Sequence, residues 1–389
     1  MAAGLWTLLS VSGAAPASAA AVINVGFECS CTGAQSSSTE VAKAGALAWA
    51  SQVNAAGGVD GHQVHIIYED DQSNSGTGLA QVETMINQDH VVAILDAAAS
   101  DPAWASVATA ASVPVLGGGS SQIYVTNPNF FAVGGTLDGY FDVFVDAAKK
   151  VGAKSVAELY CAESPICQQA VTPLKIVAGK RNMPVDYVTS ISYSAPNFTA
   201  QCLAAKQAGA QALIIADAVA VVASVMNSCT QQGYTPWEIS LDGAISGSFT
   251  KDPGLTNKLI GAEPDMPFFL HNSATASYDS AINKYQSAVL KDPNYGEETL
   301  QYYAAGEVVA AAIKAAHAGQ NGATVTAAET KAGLYDLHGI TLNGLVPPLT
   351  YHKGTVSPVD CWYWVRTQGG KFTTPYGTAP FCFKPTPLT

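Results

Sequence analysis

The chain has 389 residues, of which 48% are hydrophobic and 12% charged; this excludes general disorder and leaves length for two domains with separate cores. Thirty acidic residues against 18 basic ones give a net charge of −12, with Lys and Arg scattered singly along the sequence. That balance excludes nucleic acid and anionic membrane surfaces as partners, because both need clustered positive charge.

The first 21 residues carry no Lys, Arg, Asp or Glu. Leu5 to Leu9 forms a brief apolar core, and Ala17-Ser18-Ala19 is a small-residue cleavage site, so residues 1–21 read as a signal peptide without its usual basic start. Gly13 and Pro16 interrupt the run, which is also too short to span a bilayer. The expectation is an exported protein, soluble after cleavage, on the periplasmic or extracellular side of the cell envelope.

From Val22 the pattern alternates strand-like runs with amphipathic helices. Val22 to Phe27 reads as a first strand, Gly33 to Ser38 as a polar loop, and a helix follows to about Asn54, with Ser38 or Thr39 available to cap it and Gly57-Gly58 to stop it. Gln63 to Tyr68 is a second strand ending in Glu69-Asp70-Asp71. A helix from about Ser75 to Asp89 leads to the strand Val91 to Leu95, then Ala97 to Ser100, and a short helix runs from about Asp101 to Ala111. Val113 to Leu116 is a short apolar run of the kind a buried parallel strand shows, followed by Gly117-Gly118-Gly119-Ser120-Ser121. Glycines at the carboxyl end of such a strand let backbone N–H groups approach a ligand, and two hydroxyls add donors.

A second block with the same grammar starts near Leu137. Its strands are Ser155 to Tyr160, Val185 to Ile191, Ala212 to Ala216 and Ile239 to Leu241, separated by helices. Two long helices fall between about Ala274 and Ala318, and the Pro-, Gly- and aromatic-rich tail holds one clear strand from Cys361 to Arg366. Strands alternating with helices mean βαβ units and parallel sheets with right-handed crossovers. The fold class is therefore α/β, two Rossmann-like lobes with a chain that crosses between them more than once and a ligand cleft at the junction.

Eight cysteines suit an oxidising compartment. Proximity pairs Cys161 with Cys167, Cys202 with Cys229 and Cys361 with Cys382, leaving Cys29 and Cys31 as a strained bridge or, in the rival reading, part of a metal site. No second Cys or His pair at zinc spacing accompanies them, and His62 and His65 lie three apart on an extended run, so no metal is expected. Catalytic constellations are missing: no G-x-S-x-G, no phosphate loop and no dinucleotide fingerprint. Glu69-Asp70-Asp71 reads as acids ending a strand, and Tyr302-Tyr303 as core and cleft wall. The residues point to binding without chemistry, and to no cofactor.

Val53-Asn54-Ala55-Ala56-Gly57-Gly58-Val59-Asp60-Gly61, followed by a strand ending in Asp70-Asp71, resembles the leucine/isoleucine/valine-binding type of extracytoplasmic solute-binding protein, which serves ABC importers and has the type I periplasmic fold. Leu349-Thr350-Tyr351 matches a further element of that family. The resemblance implies lobe 1 from residues 22–137 plus about 267–352, and lobe 2 from 138–266 plus about 353–389. It implies a monomer that captures an amino acid or related small carboxylate by lobe closure and hands it to permease and ATPase subunits. The ligand carboxylate is expected on Ala98-Ala99-Ser100 and Gly119-Ser120-Ser121, and its ammonium on Asp242. The family's aromatic cleft residues fall near Ser38, Pro165 and Ala218, all small here, which implies a bulkier ligand than leucine, an aromatic or aliphatic carboxylate included. A ligand-sensing module of the same fold and a secreted hydrolase are the alternatives.

Overall fold

The structure is a computed structural model that describes residues 21–163 and 165–388, without the side chains of Pro165, Ile166 and Asp242. Of the expected signal peptide, residues 1–20 lie outside the described residues and only its last, Ala21, within them.

Five short strands build the first sheet. They are β1 (Ile23–Cys29), β2 (Val64–Asp70), β3 (Ile94–Ala97), β4 (Val115–Gly117) and β5 (Phe130–Ala132), all parallel, in the spatial order β2-β1-β3-β4-β5. Near-continuous burial along β1, β3, β4 and β5 explains why they read as unbroken apolar runs, as strands covered on both faces must. The helices between them are α1 (Ser36–Thr39), α2 (Ala42–Ala55), α3 (Ser75–Asn87) and α4 (Asp101–Ala110). The expected single helix up to Asn54 is thus two, and neither Ser38 nor Thr39 caps the longer one. Thr39 Oγ1 instead donates to the carbonyl of Ser30, 2.6 Å away, and fastens the loop after β1. The β3 strand starts three residues later than its apolar run; Val91 and Val92 are buried on the approach to it.

The chain then builds a second sheet on the same plan. After α5 (Leu137–Lys150) come β6 (Val156–Cys161), α6 (Pro165–Lys180), β7 (Val185–Ile191), α7 (Thr199–Ala208), β8 (Ala212–Ala216), α8 (Val219–Gln231), β9 (Trp237–Leu241) and β10 (Leu259–Glu263). Their order, β7-β6-β8-β9-β10, repeats that of the first sheet strand for strand. The chain returns to the first sheet as α9 (Ala276–Tyr285), α10 (Glu297–Ala315) and α11 (Ala327–Tyr335), with the small pair β11 (His338–Ile340) and β12 (Leu349–Thr350). Then β13 (Cys361–Gln368) adds antiparallel to β10, with β14 (Lys371–Thr373) and β15 (Phe381–Cys382) antiparallel beside it. Within the described residues the chain passes between the sheets three times, and the passages touch one another: the Thr136 N–H donates to the Val359 carbonyl at 2.8 Å, and Gly134 packs on Pro264.

Four disulfides join Cys29 to Cys31, Cys161 to Cys167, Cys202 to Cys229 and Cys361 to Cys382. His62 sits buried ahead of β2 with its ring nitrogens 2.6 and 2.9 Å from the carbonyls of Ala21 and Gly319, which makes it a clamp on the chain and not a ligand. Among the described residues no helix is long and apolar enough to cross a membrane.

The long helix α10 is buried along most of its length and lies against α2. Close approach of their backbones rests on Gly45, where an added Cβ would run into the Thr299 carbonyl and the Tyr303 amide, both backbone atoms that cannot rotate away. Gly45→Ala is expected to push the helices apart and cost about 1–3 kcal/mol, the scale of an overpacked core. Urea unfolding followed by circular dichroism measures this, and an unchanged midpoint would contradict the packing described.

Candidate functional site

In open parallel sheets, ligands bind beyond the carboxyl ends of the strands where the strand order reverses. Here that point lies between β1 and β3 in the first sheet and between β6 and β8 in the second, and the two points face each other across a cavity of about 290 Å³. From the first sheet the cavity is lined by the loop after β3 (Ala97–Ala99), the loop after β4 (Gly118–Ser121), Asp96, Asp101 and, from α10, Glu298, Gln301 and Tyr302. From the second it is lined by Glu158, Ile215–Asp217, Ser240, Leu241 and Gly243, and by the face of α5 that carries Tyr140, Phe141 and Phe144.

Of the residues expected to hold a ligand, Ser38, Ala98, Ala99, Gly119, Ser120 and Ser121 stand on this wall. Ser100 does not: it is buried behind the wall, where its hydroxyl accepts from the Trp104 indole at 3.2 Å. Ala218 is also off the wall, buried at the N-terminus of α8 beside Asp217, which does line it. The backbone of Asp242 opens a single turn of 3-10 helix after β9, between the lining residues Leu241 and Gly243; its side chain, like that of Pro165, lies outside the described residues.

The geometry corrects the reason given for the small residues. The backbone N–H of Ala98 donates to Asp96 Oδ1 at 3.1 Å and that of Ala99 to Ser30 Oγ at 2.9 Å, so these two donors are already occupied. The Ser121 hydroxyl accepts from the Ile123 N–H at 3.3 Å. At Gly117 and Gly118 an added Cβ would meet Tyr124 and Gln301, so these glycines make room for the protein's own side chains. Nor is the cleft stripped of aromatic walls. Tyr302, expected as cleft wall, supplies one, and Tyr124, Tyr140, Phe141 and Phe144 supply the others.

What the sequence reading missed is the charge. Asp96, Asp101, Glu158, Asp217 and Glu298 all line the cavity, and no Lys, Arg or His lines it among the described residues. Burial raises Asp96 well above the usual carboxylate range, and neighbouring Asp101 raises it further, although the Ala98 N–H and the Tyr124 hydroxyl (3.0 Å to Oδ2) hold both of its oxygens. Burial pushes Asp101 up to about 7, against which the nearby Ser121 hydroxyl pulls. Asp101 is 1% exposed, and neither carboxylate oxygen has a hydrogen bond of good geometry among the described residues. Burial also lifts Glu158 to about 7, opposed by the charge of Lys175, and Asp217 to about 7, opposed by the Ala218 N–H. Off the cavity wall, Glu28 on β1 is pushed to about 9 by burial and then by Asp71. None of these acids belongs to a cluster able to hold a metal ion among the described residues.

Two hydrogen bonds tie the lobes together at the mouth. The first N–H groups of a helix have no partner within it, and at α8 they are those of Val219 and Ala220. The helix has no capping side chain of its own; the Val219 N–H donates to Ser38 Oγ at 3.3 Å and the Ala220 N–H to Ser37 Oγ at 3.2 Å, both from α1 in the other lobe.

An acid whose value is raised on folding binds its proton more tightly in the native state, so its contribution is full below the unfolded value and is lost as pH rises through the folded one. For Asp101 this window runs from 3.8 to about 7. Asp101→Asn is therefore expected to match the parent near about pH 4 and to gain in unfolding midpoint up to about pH 7, by a few degrees at about 2–4 °C per kcal/mol. Thermal melts of the ligand-free protein across that range measure the difference, and a gain that shrinks with rising pH would contradict the burial of this carboxyl.

The family described as periplasmic binding protein matches residues 22–371. No curated protein matches the chain by sequence. Among solved structures, the chain is similar to a branched-chain amino acid ABC transporter protein from Thermus thermophilus with bound valine (TM-score 0.81, 14% identity, 93% of this chain and 97% of that one). It is similar to a fatty acid ABC transporter substrate-binding protein from Thermomonospora curvata (0.77, 15%, 94% and 93%) and to a solute-binding protein from R. palustris in complex with 4-hydroxybenzoate (0.76, 17%, 93% and 97%). These likenesses carry the fold, and the family match spans nearly every described residue: the chain belongs to the periplasmic binding protein family.

Proposed function

We propose that the protein is the exported, solute-binding component of an ABC importer, which captures a small organic molecule between its lobes and presents the closed form to permease and ATPase subunits, without chemistry on the ligand. The observation that carries this reading is the cavity itself, lined from the carboxyl edges of both sheets and bridged by the hydrogen bonds of Ser37 and Ser38 to α8. An amino acid or related small carboxylate is the solute that the sequence resemblance implies, and Gly119, Ser120 and Ser121, expected to hold its carboxylate, line the cavity. Solutes bound by proteins of this fold include valine, in the Thermus thermophilus structure, and 4-hydroxybenzoate, in the R. palustris one, so the fold leaves the ligand open.

Closure works here through desolvation. Water leaves the cavity, so each hydrogen bond to the ligand forms in a medium where it is worth more. The α8 N–H groups gain hydroxyl partners when the lobes meet, and a permease has one shape to recognise.

Native mass spectrometry of the purified protein, followed by a thermal-shift screen of small solutes, tests the reading. One solute is expected at one-to-one stoichiometry, unchanged after release, raising stability by about 2.7 kcal/mol at a hundredfold excess over its Kd. The double variant Ser37→Ala, Ser38→Ala is expected to weaken that solute by about three- to tenfold, since closure then leaves two helix N–H groups without hydroxyl acceptors. A solute that returns chemically altered, or no solute at all, would overturn the proposal.

A further inference from the structure

Five carboxyl groups line the cavity, three from the first lobe and two from the second, with no basic side chain among the described lining residues. Acid-rich walls alone would say little, since acids are ordinary at the ends of strands. Three further observations give them direction.

Asp101 is 1% exposed, borders the cavity and has no hydrogen-bond partner of good geometry for either oxygen among the described residues. Buried polar groups are nearly always paired, and an unpaired one asks for the group that completes it. Second, Glu158 Oε2 and Asp217 Oδ2, which reach the same cavity from the other lobe, are likewise without a partner among the described residues. Third, the wall offers a carboxylate less than its small residues promised: the Ala98 and Ala99 N–H groups are spent on Asp96 and Ser30, and Ser100 is behind the wall.

We propose that the cleft selects an organic cation, an amine or guanidine whose charge is not cancelled by a carboxylate of its own, held between Asp101 of the first lobe and Asp217 and Glu158 of the second. This rests on the solute-binding reading above and names the class of solute. The cation supplies N–H donors to the oxygens left without a partner, both of Asp101, Glu158 Oε2 and Asp217 Oδ2, the other Asp217 oxygen already accepting from the Ala218 N–H at 2.8 Å; charge-assisted bonds of that kind are about twice as strong as neutral ones. Its charge also favours the ionised form of acids that burial shifts towards the protonated one. Tyr302, Tyr124 and Phe141 line the rest of the cavity, where aromatic rings cover an apolar body or the face of the cation. Charge on both lobes ties binding to closure, because only the closed form brings all three acids to one ligand. The carboxylate of an ordinary amino acid would share this wall with five carboxyl groups and no base among the described lining residues, and each of them that is ionised repels it.

Calorimetry on the full mature chain near neutral pH tests this with 3-methylbutylamine, 2-phenylethylamine and agmatine against leucine, phenylalanine, 4-methylpentanoate and 3-phenylpropionate. At least one of the three cations is expected to bind about tenfold or more tighter than every zwitterion and carboxylate in the set. Asp101→Asn and, separately, Asp217→Asn are each expected to weaken it by about tenfold or more, the loss of a hydrogen bond to a charged group. A zwitterion or carboxylate that binds as tightly as the cations, or cation affinities unmoved in both variants, overturns the inference. Where none of the probes binds, the solute found by native mass spectrometry decides. A cationic solute supports the inference; a neutral or anionic one overturns it and leaves the solute-binding reading standing; no solute in either experiment overturns both.

Discussion

A parallel sheet covered by helices on both faces is open only along its edges, and its strands can offer loops to a ligand only at their carboxyl ends. That constraint organises this molecule. Each of its two sheets has the strand order second-first-third-fourth-fifth, so each has one gap where successive crossovers leave in opposite directions. The chain sets these two gaps against each other by passing between the sheets at Thr136, Pro264 and Val359, side by side. Everything that lines the cavity follows from this: the residues just past β3, β4, β8 and β9, and the helix α10, whose close fit to α2 through Gly45 carries Gln301 and Tyr302 to its floor.

Such a site is paid for in stability. Asp96, Asp101, Glu158 and Glu28 are buried and Asp217 half-buried without a basic partner close enough to compensate, and all are lifted far from their ordinary values. A protein selected for stability alone would place apolar side chains there. Retaining buried acids next to a cavity is the pattern expected where a ligand group later completes them, and the cost is what a ligand of matching charge recovers on binding. The mouth repeats the logic on a small scale, with α8 lacking a cap of its own and receiving hydroxyls from the opposite lobe.

The two lobes were legible in the sequence to a large degree, because strands buried on both faces must be apolar throughout and helices between them must be apolar on one side. β1, β7, β8 and the helices α3, α4 and α5 fall within a few residues of where their patterns place them. The splitting of α1 from α2, the late start of β3 and the helix α11 were not visible. Each is decided by contacts between elements and not by local pattern: Thr39 fixing the Ser30 carbonyl, the pairing of Gly26 with Ile94, and α11 packing on α10. The glycine run after β4 was visible as a loop at a strand end, but its reason was not, since the atoms crowding Gly118 belong to Gln301, far along the chain.

By itself, then, the sequence determined the class of fold, the doubled βα plan, the family's signature at Asn54 to Gly61 and the placing of Ala98, Ala99, Gly119, Ser120 and Ser121 at strand ends, because these are local patterns of polarity and chain stiffness. Only the tertiary structure decided what the cleft offers a ligand. Asp96 and Asp101, Glu158 and Asp217, and Glu298 come from segments separated by tens of residues or more, and each reads in sequence as an ordinary surface acid. Folding brings them around one cavity, uses up the N–H groups of Ala98 and Ala99 on the protein's own oxygens, and turns a loop that looked ready for an anion into one wall of an acidic site. Charge summed over a site is a property of distances, and distances between remote segments are set by the fold.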